Sequence, residues 1–344
     1  MDDRDALFEA IDRVRAEWGQ RLLILGHHYQ PSEIVAHCDA VGDSLELSSL
    51  AARSTAERIV FCGVRFMAET ADILSRGPGR SVWMPAPKAG CPMADMATAD
   101  ALEAAWARLC AAAPKAEWVP IVYVNSSAEV KAFCGRHGGA ACTSGNGRRV
   151  VEHFLAQGKR ILFAPDQHLC SNIMRVLGRA GEVALWRRAA EDGGLTDAQI
   201  RAATLVAWDG CCPIHAGYTP QDVAAARAAH PNAELLIHPE APSIVAARAE
   251  HVGSTKAIIE VVSGADPGAE LIVGTEERLV RRLAVANPHL RIHSLRPILC
   301  ADMGRTTPEA LLRTLTDWPE ANRVRVDDAL VDDARASVER MLAL

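Results

Sequence analysis

The stretch RLLILGHHYQ at residues 21–30 decides the fold, because an uninterrupted apolar run leads directly into polar side chains. The same pattern returns in ERIVFCGVRF (57–66), WVPIVYVNSS (118–127), KRILFAPDQH (159–168), AELLIHPEAP (233–242) and AELIVGTEER (269–278). Each run is followed by a turn and then by a stretch with helical periodicity. Continuous apolar runs that alternate with helices are typical of parallel strands covered on both faces. The sequence therefore predicts an α/β fold.

Composition and charge exclude several classes of protein. The chain has 344 residues, of which 49% are hydrophobic, so a full globular core is expected. The formal net charge is -6 and no dense stripe of Lys and Arg occurs, which argues against a nucleic-acid partner. The charged start MDDRDALFEA lacks the apolar segment of a secretory signal, and no run is long enough to span a bilayer. We therefore expect a cytoplasmic protein that does not enter a membrane.

Helix starts support this division of the chain. Asp43 with Glu46, and Ser126 with Glu129, have the spacing of capping boxes, in which side chains satisfy free N–H groups of the first turn. Capping alone is therefore a sufficient explanation for Asp43 and Ser126.

Three extended stretches end in a cysteine and continue into a helix: WMPAPKAGCPMAD (83–95), LVAWDGCCPIH (205–215) and IHSLRPILCADM (292–303). They predict three similar αβ segments, each with one cysteine at the carboxyl end of its sheet. The chain has ten cysteines and no C-x-x-C pair, so a zinc ribbon or a redox dithiol is not indicated. Cys62 and Cys110 are interpreted as packing residues. Spacing alone leaves open whether the other cysteines bind a metal.

Polar side chains gather where the predicted strands end, which is the edge at which open α/β sheets bind ligands. These residues are His27, His28, Tyr29, Asp43, Ser44, Tyr123, Asn125, Thr143, Ser144, Asp166, His168, His215, His238, Glu240, Ser254 and Thr255. Histidines and carboxylates at one edge can transfer protons and bind carboxylate substrates. Against this, a single histidine after a strand is usually only a hydrogen-bonded loop residue.

Eleven short motifs follow one another in a fixed order: GHHYQ, GDSLELS, VFCGVRFMAET, AGCPMAD, YVNSSAEVKA, CTSGN, WDGCCPIH, IHPE, VGST, IVGTE and LCADM. Together they resemble the quinolinate synthase family, A type, of the de novo pathway to NAD. The resemblance covers residues 22–315. It implies three similar three-layer αβα units with parallel sheets around a pseudo-threefold axis. We expect the units at residues 1–95, with 304–344 packed on the first unit, at 96–208 and at 209–303.

The resemblance also implies one [4Fe–4S] cluster with a cysteine ligand from each unit. Carried over by motif, the ligands are Cys91, Cys212 and Cys300. The alternative is that Cys211 is the ligand and Cys212 packs. Three cysteines leave one iron open, and an open metal site acts as a Lewis acid without a redox role.

The reaction implied by the resemblance is a dehydrating condensation of iminoaspartate with dihydroxyacetone phosphate to quinolinate, phosphate and water, classed as a transferase reaction. L-aspartate oxidase is the expected functional partner, since it supplies the unstable imine. The expected catalytic residues are Tyr29, Tyr123, Glu240, His238 and His215, with Glu240 as general base. The expected substrate-binding residues are His27, Ser44, Asn125, Ser144 and Thr255.

Three other functions were weighed. A hydro-lyase with the same open-iron cluster would act on a different small carboxylate. An iron-responsive regulatory protein would keep the cluster only as a sensor, although the acidic charge argues against DNA binding. A zinc hydrolase using His215 and His238 is the third alternative, but the sequence contains no H-E-x-x-H motif, which argues against it.

Overall fold

The computed structural model describes residues 3–344, which form alternating strands and helices. The strands are β1 Leu22–His27, β2 Ala40–Gly42, β3 Arg58–Cys62, β4 Ser81–Trp83, β5 Trp118–Tyr123, β6 Ala140–Cys142, β7 Arg160–Ala164, β8 Val183–Trp186, β9 Leu205–Trp208, β10 Glu234–Ile237, β11 His251–Val252, β12 Glu270–Gly274, β13 Arg291–Ser294 and β14 Arg323–Val324. The helices are α1 Asp3–Trp18, α2 Ser32–Val35, α3 Ser44–Arg53, α4 Arg65–Ser75, α5 Ala99–Ala112, α6 Ala128–Arg136, α7 Gly147–Ala156, α8 Gln167–Val176, α9 Asp197–Ala202, α10 Pro220–Ala229, α11 Ser243–Ala246, α12 Thr255–Ser263, α13 Glu277–Ala286, α14 Pro308–Asp317 and α15 Asp328–Ala343.

The strands form three separate sheets, which confirms the predicted α/β class with three parallel-sheet αβα units. Their strand orders are β14-β4-β3-β1-β2, β6-β5-β7-β9-β8 and β11-β10-β12-β13. The pairings are parallel except for β14, which runs antiparallel to β4. Strands β5 and β9 are buried along their whole length, because helices cover both faces of a parallel sheet.

The C-terminal segment joins two of these units. Strand β14 extends the first sheet and α14 packs against α1, whereas α15 packs against α6 and β6 of the second sheet and also against α4. The unit boundaries stay a prediction. We define a unit as a sheet together with the cysteine loop that follows it, so Cys212, which follows β9, is counted with the second sheet. None of the helices within residues 3–344 has the length and apolar character required to cross a bilayer.

The capping predictions have different outcomes. Asp43 caps α3, and a capping box with Glu46 is present, which confirms the first prediction. The second prediction is wrong, because Ser127 caps α6 and accepts a hydrogen bond from the Val130 N–H. The helix starts one residue later than the motif indicated, and the Ser126 hydroxyl is buried without a partner.

Candidate active site

A cavity of about 250 Å³ lies where the carboxyl ends of the three sheets meet. Its wall includes every catalytic, substrate-binding and metal-binding residue expected from the resemblance. These are His27, Tyr29, Ser44, Cys91, Tyr123, Asn125, Ser144, Cys212, His215, His238, Glu240, Thr255 and Cys300, whereas His28, Asp166, His168 and Ser254 do not line it. Residues from all three sheets are therefore brought together in one place, although their individual roles stay predictions.

The three cysteines occupy equivalent positions in three loops of the same design. In each loop a strand is followed by the cysteine, then by a 3₁₀ turn, and then by a threonine that caps the next helix. The cysteines are Cys91, Cys212 and Cys300, and the caps seven residues later are Thr98, Thr219 and Thr307. Each cysteine carbonyl also accepts a hydrogen bond from the N–H four residues later. The repetition places one thiol per unit at the cavity.

The seven-residue spacing to the capping threonine distinguishes Cys212 from its neighbour Cys211. Cys212 stands seven residues before Thr219 and lines the cavity. Cys211 is not part of the cavity wall, and its N–H points to the Met96 sulfur at 3.4 Å. The position in the repeated loop therefore favours Cys212 over Cys211 as a ligand.

Buried carboxyl groups hold these cysteine loops in place. Asp166 accepts a hydrogen bond from the Cys212 N–H at 3.2 Å, and Glu276 accepts one from the Cys300 N–H at 3.0 Å. In the first unit, the Asp302 carboxylate accepts from the Gly90 N–H at 3.2 Å. Loss of groups that orient metal ligands typically weakens metal binding by about 10–100-fold.

The thiols need a positive partner before they can ionise. Burial raises the pKa of Cys91 to about 12, and it also raises the pKa of Cys212 and Cys300 above the usual range. Among the described residues that line the cavity, none is a lysine or an arginine. A bound metal is the kind of cation that stabilises buried thiolates.

Two sets of side chains at the cavity could hold a metal. The donor atoms of Cys212, His215 and Glu240 lie within 4.8 Å of one another and could hold a single ion, whereas the three thiols do not form such a tight group. Both ring nitrogens of His215 are, however, already within hydrogen-bond distance of Glu240 and Thr275. A multi-iron cluster is larger than one ion and takes thiolate ligands. The three cysteines around one cavity therefore fit a cluster.

Glu240 is the centre of a buried polar network. One of its carboxylate oxygens accepts a hydrogen bond from the Tyr123 hydroxyl, and the other lies 2.8 Å from Nδ1 of His215. The second ring nitrogen of His215, Nε2, lies 3.2 Å from the Thr275 hydroxyl. The His238 ring stacks on the His215 ring at a centroid distance of 4.1 Å. The network fixes the orientation of the Glu240 carboxylate and of the His215 ring, which are the two proposed proton carriers.

Tyr29, which follows β1 of the first sheet, extends the network beyond His215. Its hydroxyl lies 2.7 Å from the Thr275 hydroxyl and 2.9 Å from the Thr255 hydroxyl. Thr275, which connects Tyr29 to His215, was missed by the sequence reasoning. Its position directly after β12 could have identified it, because other site residues also follow strands directly.

Glu240 is a carboxylate that lies among rings kept neutral by burial. Burial lowers the pKa of His238 to about 3 and that of His27 well below its usual range, so both rings are neutral. Burial likewise raises the pKa of Tyr29 and of Tyr123. Burial opposes ionisation of Glu240, but the neighbouring histidines and its hydrogen bonds outweigh that effect and lower its pKa to about 2. Glu240 is therefore ionised at neutral pH.

Anions can be held at the cavity without a cationic side chain. Ser44 is the first residue of α3 and Thr255 is the first residue of α12, while Ser144 lies shortly before α7. Helix N-termini carry partial positive charge and free N–H groups, so they attract carboxylate and phosphate groups.

Comparison with known proteins identifies related sequences along almost the whole chain. The family described as NadA, quinolinate synthetase A protein, matches residues 9–343. A protein of Rhodopirellula baltica named quinolinate synthase is 42% identical, covering 99% of this chain and 92% of the relative. Proteins with the same name from Halobacterium salinarum and Corynebacterium glutamicum are 41% and 39% identical. They cover 98% and 99% of this chain, and 91% and 88% of their own lengths.

Proposed function

The chain belongs to the quinolinate synthetase A family, and we propose that it condenses iminoaspartate with dihydroxyacetone phosphate to form quinolinate. One carbon–carbon and one carbon–nitrogen bond form, the phosphate ester breaks, and two waters leave. The atoms balance without an external oxidant or reductant, so the reaction is a dehydrating, non-redox condensation. The imine hydrolyses readily in water, and L-aspartate oxidase is the proposed source that supplies it.

The proposed cofactor is a [4Fe–4S] cluster held by Cys91, Cys212 and Cys300. The observation that carries this proposal is the threefold loop, which presents one thiol from each unit to a single cavity. When bound, such a cluster would supply a Lewis-acidic iron without a protein ligand to polarise a substrate oxygen or nitrogen. Asp166 and Glu276 would hold two of the cysteine loops in the orientation that the cluster requires.

The substrate anions are proposed to bind at the helix N-termini. Ser44 and Thr255 each place a hydroxyl group and their own N–H at the first position of a helix, where Asp43 and Ser254 already accept from later N–H groups of the turn. Ser144 and Asn125 line the same cavity from the second sheet. The His27 ring accepts the Tyr29 N–H at Nδ1, so its Nε2 is free to donate to a carboxylate. A cavity without lysine or arginine favours small anions that bind through hydrogen bonds.

Proton transfer is proposed to run through the buried network. Because the pKa of Glu240 is lowered to about 2, its carboxylate is a weak base by itself. Its contacts with His215 and Tyr123 instead support a joint role, in which Glu240 orients His215 and stabilises the proton that the ring takes up. Tyr29 is a neutral donor at the same cavity, and His238 supports the His215 ring by stacking.

Anaerobic assay of cluster-loaded protein tests the proposal. The protein is incubated with iminoaspartate and dihydroxyacetone phosphate that carries carbon-13 at all three positions. We expect quinolinate that has gained three labelled carbons, and we expect its formation to stop after exposure to air. Cys211→Ala is the matched control for Cys212→Ala, and only the second variant should lose activity. An intact cluster that yields no quinolinate would contradict the substrate assignment and favour a different hydro-lyase reaction.

A further inference from the structure

A second group of potential metal ligands lies at the opposite end of the third sheet from the cavity. It consists of His230, Glu270 and His293, which we call the His–Glu–His cluster. Glu270 is the first residue of β12, whereas the cavity lies beyond the last residue of that strand. The strand separates the two places by roughly 13 Å, at about 3.3 Å per residue. The cluster is therefore independent of the proposed catalytic site.

The three side chains converge on one carboxylate oxygen. Glu270 Oε1 lies 3.0 Å from Nδ1 of His230 and 3.1 Å from Nε2 of His293. The two imidazole rings stack with centroids 3.6 Å apart and planes inclined by 17°. The ligand atoms all lie within 4.8 Å of one another.

We propose that the His–Glu–His cluster binds a divalent transition metal of the zinc class. Imidazole nitrogen and carboxylate oxygen are suitable ligands for such ions. Ligand atoms around tetrahedral zinc stand ~3.3 Å apart, given bonds of about 2.0–2.2 Å. The two separations from Glu270 Oε1, 3.0 Å and 3.1 Å, need to change by only a few tenths of an ångström, whereas the two ring nitrogens lie within 4.8 Å of each other and their stacked rings would turn toward the ion. Water would complete the coordination.

The surroundings favour such a site over a closed hydrogen-bonded trio. The side chains of His230 and His293 are 29% and 31% exposed, so an ion can reach them from solvent. Arg291 lies 3.6 Å from the other oxygen, Oε2, of Glu270, which leaves Oε1 for the ion.

A bound ion would connect the end of α10 to the sheet. His230 follows the last residue of α10, whereas Glu270 and His293 belong to the neighbouring strands β12 and β13. An ion that binds the folded chain but not the unfolded chain stabilises the folded state by mass action. The proposed role is therefore to stabilise the third unit.

The same sheet contains a matched control. His251 lies 2.8 Å from Glu234 and forms an ordinary pair of one histidine with one carboxylate. Its side chain is 41% exposed, so His251→Ala removes an imidazole without disturbing the core. Two protein ligands hold an ion much less tightly than three, so this pair should not form a comparable site.

Zinc titration calorimetry under anaerobic conditions tests the proposal, with protein that has first been loaded with the iron–sulfur cluster. We expect His230→Ala and His293→Gln each to weaken one zinc site at least tenfold, since even the loss of groups that only orient ligands costs about 10–100-fold. His251→Ala should keep the wild-type affinity. Zinc should also raise the melting temperature of the wild-type protein and of His251→Ala, but not that of His293→Gln. Iron per chain is measured after titration, so that zinc bound to vacated cysteines is not counted.

Crystals grown with zinc locate the ion directly. We expect an anomalous peak at the zinc edge beside Glu270 Oε1, at the ring edges that carry His230 Nδ1 and His293 Nε2. A map without that peak, or unchanged zinc affinity in both histidine variants, would overturn the proposal. Quinolinate formation is not used in either experiment, so the result is independent of the proposed catalytic function.

Discussion

The first strand of the first unit and the first strand of the third unit leave their sheets in the same way. A histidine stands at each exit, His27 at the end of β1 and His238 directly after β10. In both, Nδ1 of the histidine accepts a hydrogen bond from the N–H two residues later, which belongs to Tyr29 or to Glu240. Each exit then continues through a proline that caps a four-residue helix and through a short parallel strand.

The two strand exits differ in the side chain that stands two residues after the histidine. In the first unit it is a neutral phenol, Tyr29, whose hydroxyl lies near Thr255 and Thr275. In the third unit it is the carboxylate of Glu240, which contacts His215 and Tyr123. One repeated scaffold can therefore place a hydrogen-bond donor and a charge at the same cavity. This asymmetry is what a proton-transfer site requires.

Glu240→Gln should have the largest effect, because it removes the charge that distinguishes the third unit. We expect kcat to fall by about 10²–10⁴, the usual contribution of acid–base catalysis. Quinolinate formation and iron per chain should be measured together, with the iron unchanged. Glu234→Gln, at the opposite end of the same strand and exposed, is the matched control. If the Glu240 variant kept a third or more of the activity, the proposed importance of the charge would be wrong.

Tyr29→Phe should have a smaller effect than Glu240→Gln, because it removes hydrogen bonds and leaves the charge in place. Thr255 and Thr275 each lose one neighbouring hydroxyl, and buried groups left unpaired cost about 1–3 kcal/mol. We expect kcat/KM to fall by roughly 10–100-fold, measured in the anaerobic assay. Tyr218→Phe is the control for the loss of a buried phenol, since Tyr218 does not line the cavity and donates to the Thr275 carbonyl and not to the Thr275 hydroxyl. An equal loss in both variants would indicate a general structural effect.

The carboxyl groups behind the cysteine loops should influence cluster retention. Asp166→Asn and Glu276→Gln weaken the hydrogen bonds from Cys212 N–H and Cys300 N–H. We expect iron to be lost at least about tenfold faster to a chelator, as is typical when groups behind metal ligands are changed. Asp209→Asn, a half-buried neighbour of the second loop that accepts from Arg188 and not from a cysteine N–H, should release iron at the wild-type rate. Wild-type rates in both of the first variants would show that the anchors are dispensable.

The two histidines should make stability depend on pH in the same direction. Burial lowers the pKa of His238 to about 3 and that of His27 well below its usual range, whereas an unfolded histidine has a pKa of about 6.5. As the pH falls, the unfolded chain therefore binds protons that the folded chain does not, and stability decreases. Between pH 7.5 and pH 6.0 each histidine should account for a loss of about 0.8 kcal/mol in the free energy of unfolding.

Urea unfolding at the two pH values checks this expectation. His27→Gln and His238→Gln should each lose less stability than the wild type does, by about that amount, and exposed His251→Gln should not. If the histidine variants lost as much stability on acidification as the wild type, their burial as neutral rings would be contradicted.

Much of the central fold could be predicted because it rests on local pattern. Each of the six apolar stretches contains a strand, since a strand buried on both faces must be apolar throughout. The short strands β2, β6 and β11 have only two or three residues, which is too few for periodicity to appear. Strand β14 pairs with a strand far away in the chain, so no local pattern could predict its antiparallel position.

The site was predictable where chemistry follows a strand directly, and less so where tertiary structure assembles it. Tyr29 and Glu240 lie at strand exits, which made them visible in the sequence. The contacts of Asp166 and Glu276 with cysteine loops depend on how distant segments pack. Thr275 occupies a strand exit as well, but hydroxyl groups at such positions usually cap helices, so its role in the network required the structure.

The iron content of four single variants, reconstituted anaerobically and measured side by side, tests the central claim that each unit contributes one cysteine to the site. We predict that Cys91→Ala, Cys212→Ala and Cys300→Ala each lose the cluster, while Cys211→Ala keeps the four irons per chain expected of a [4Fe–4S] protein. Full iron content in any of the first three variants, or loss of the cluster in Cys211→Ala, would contradict the account.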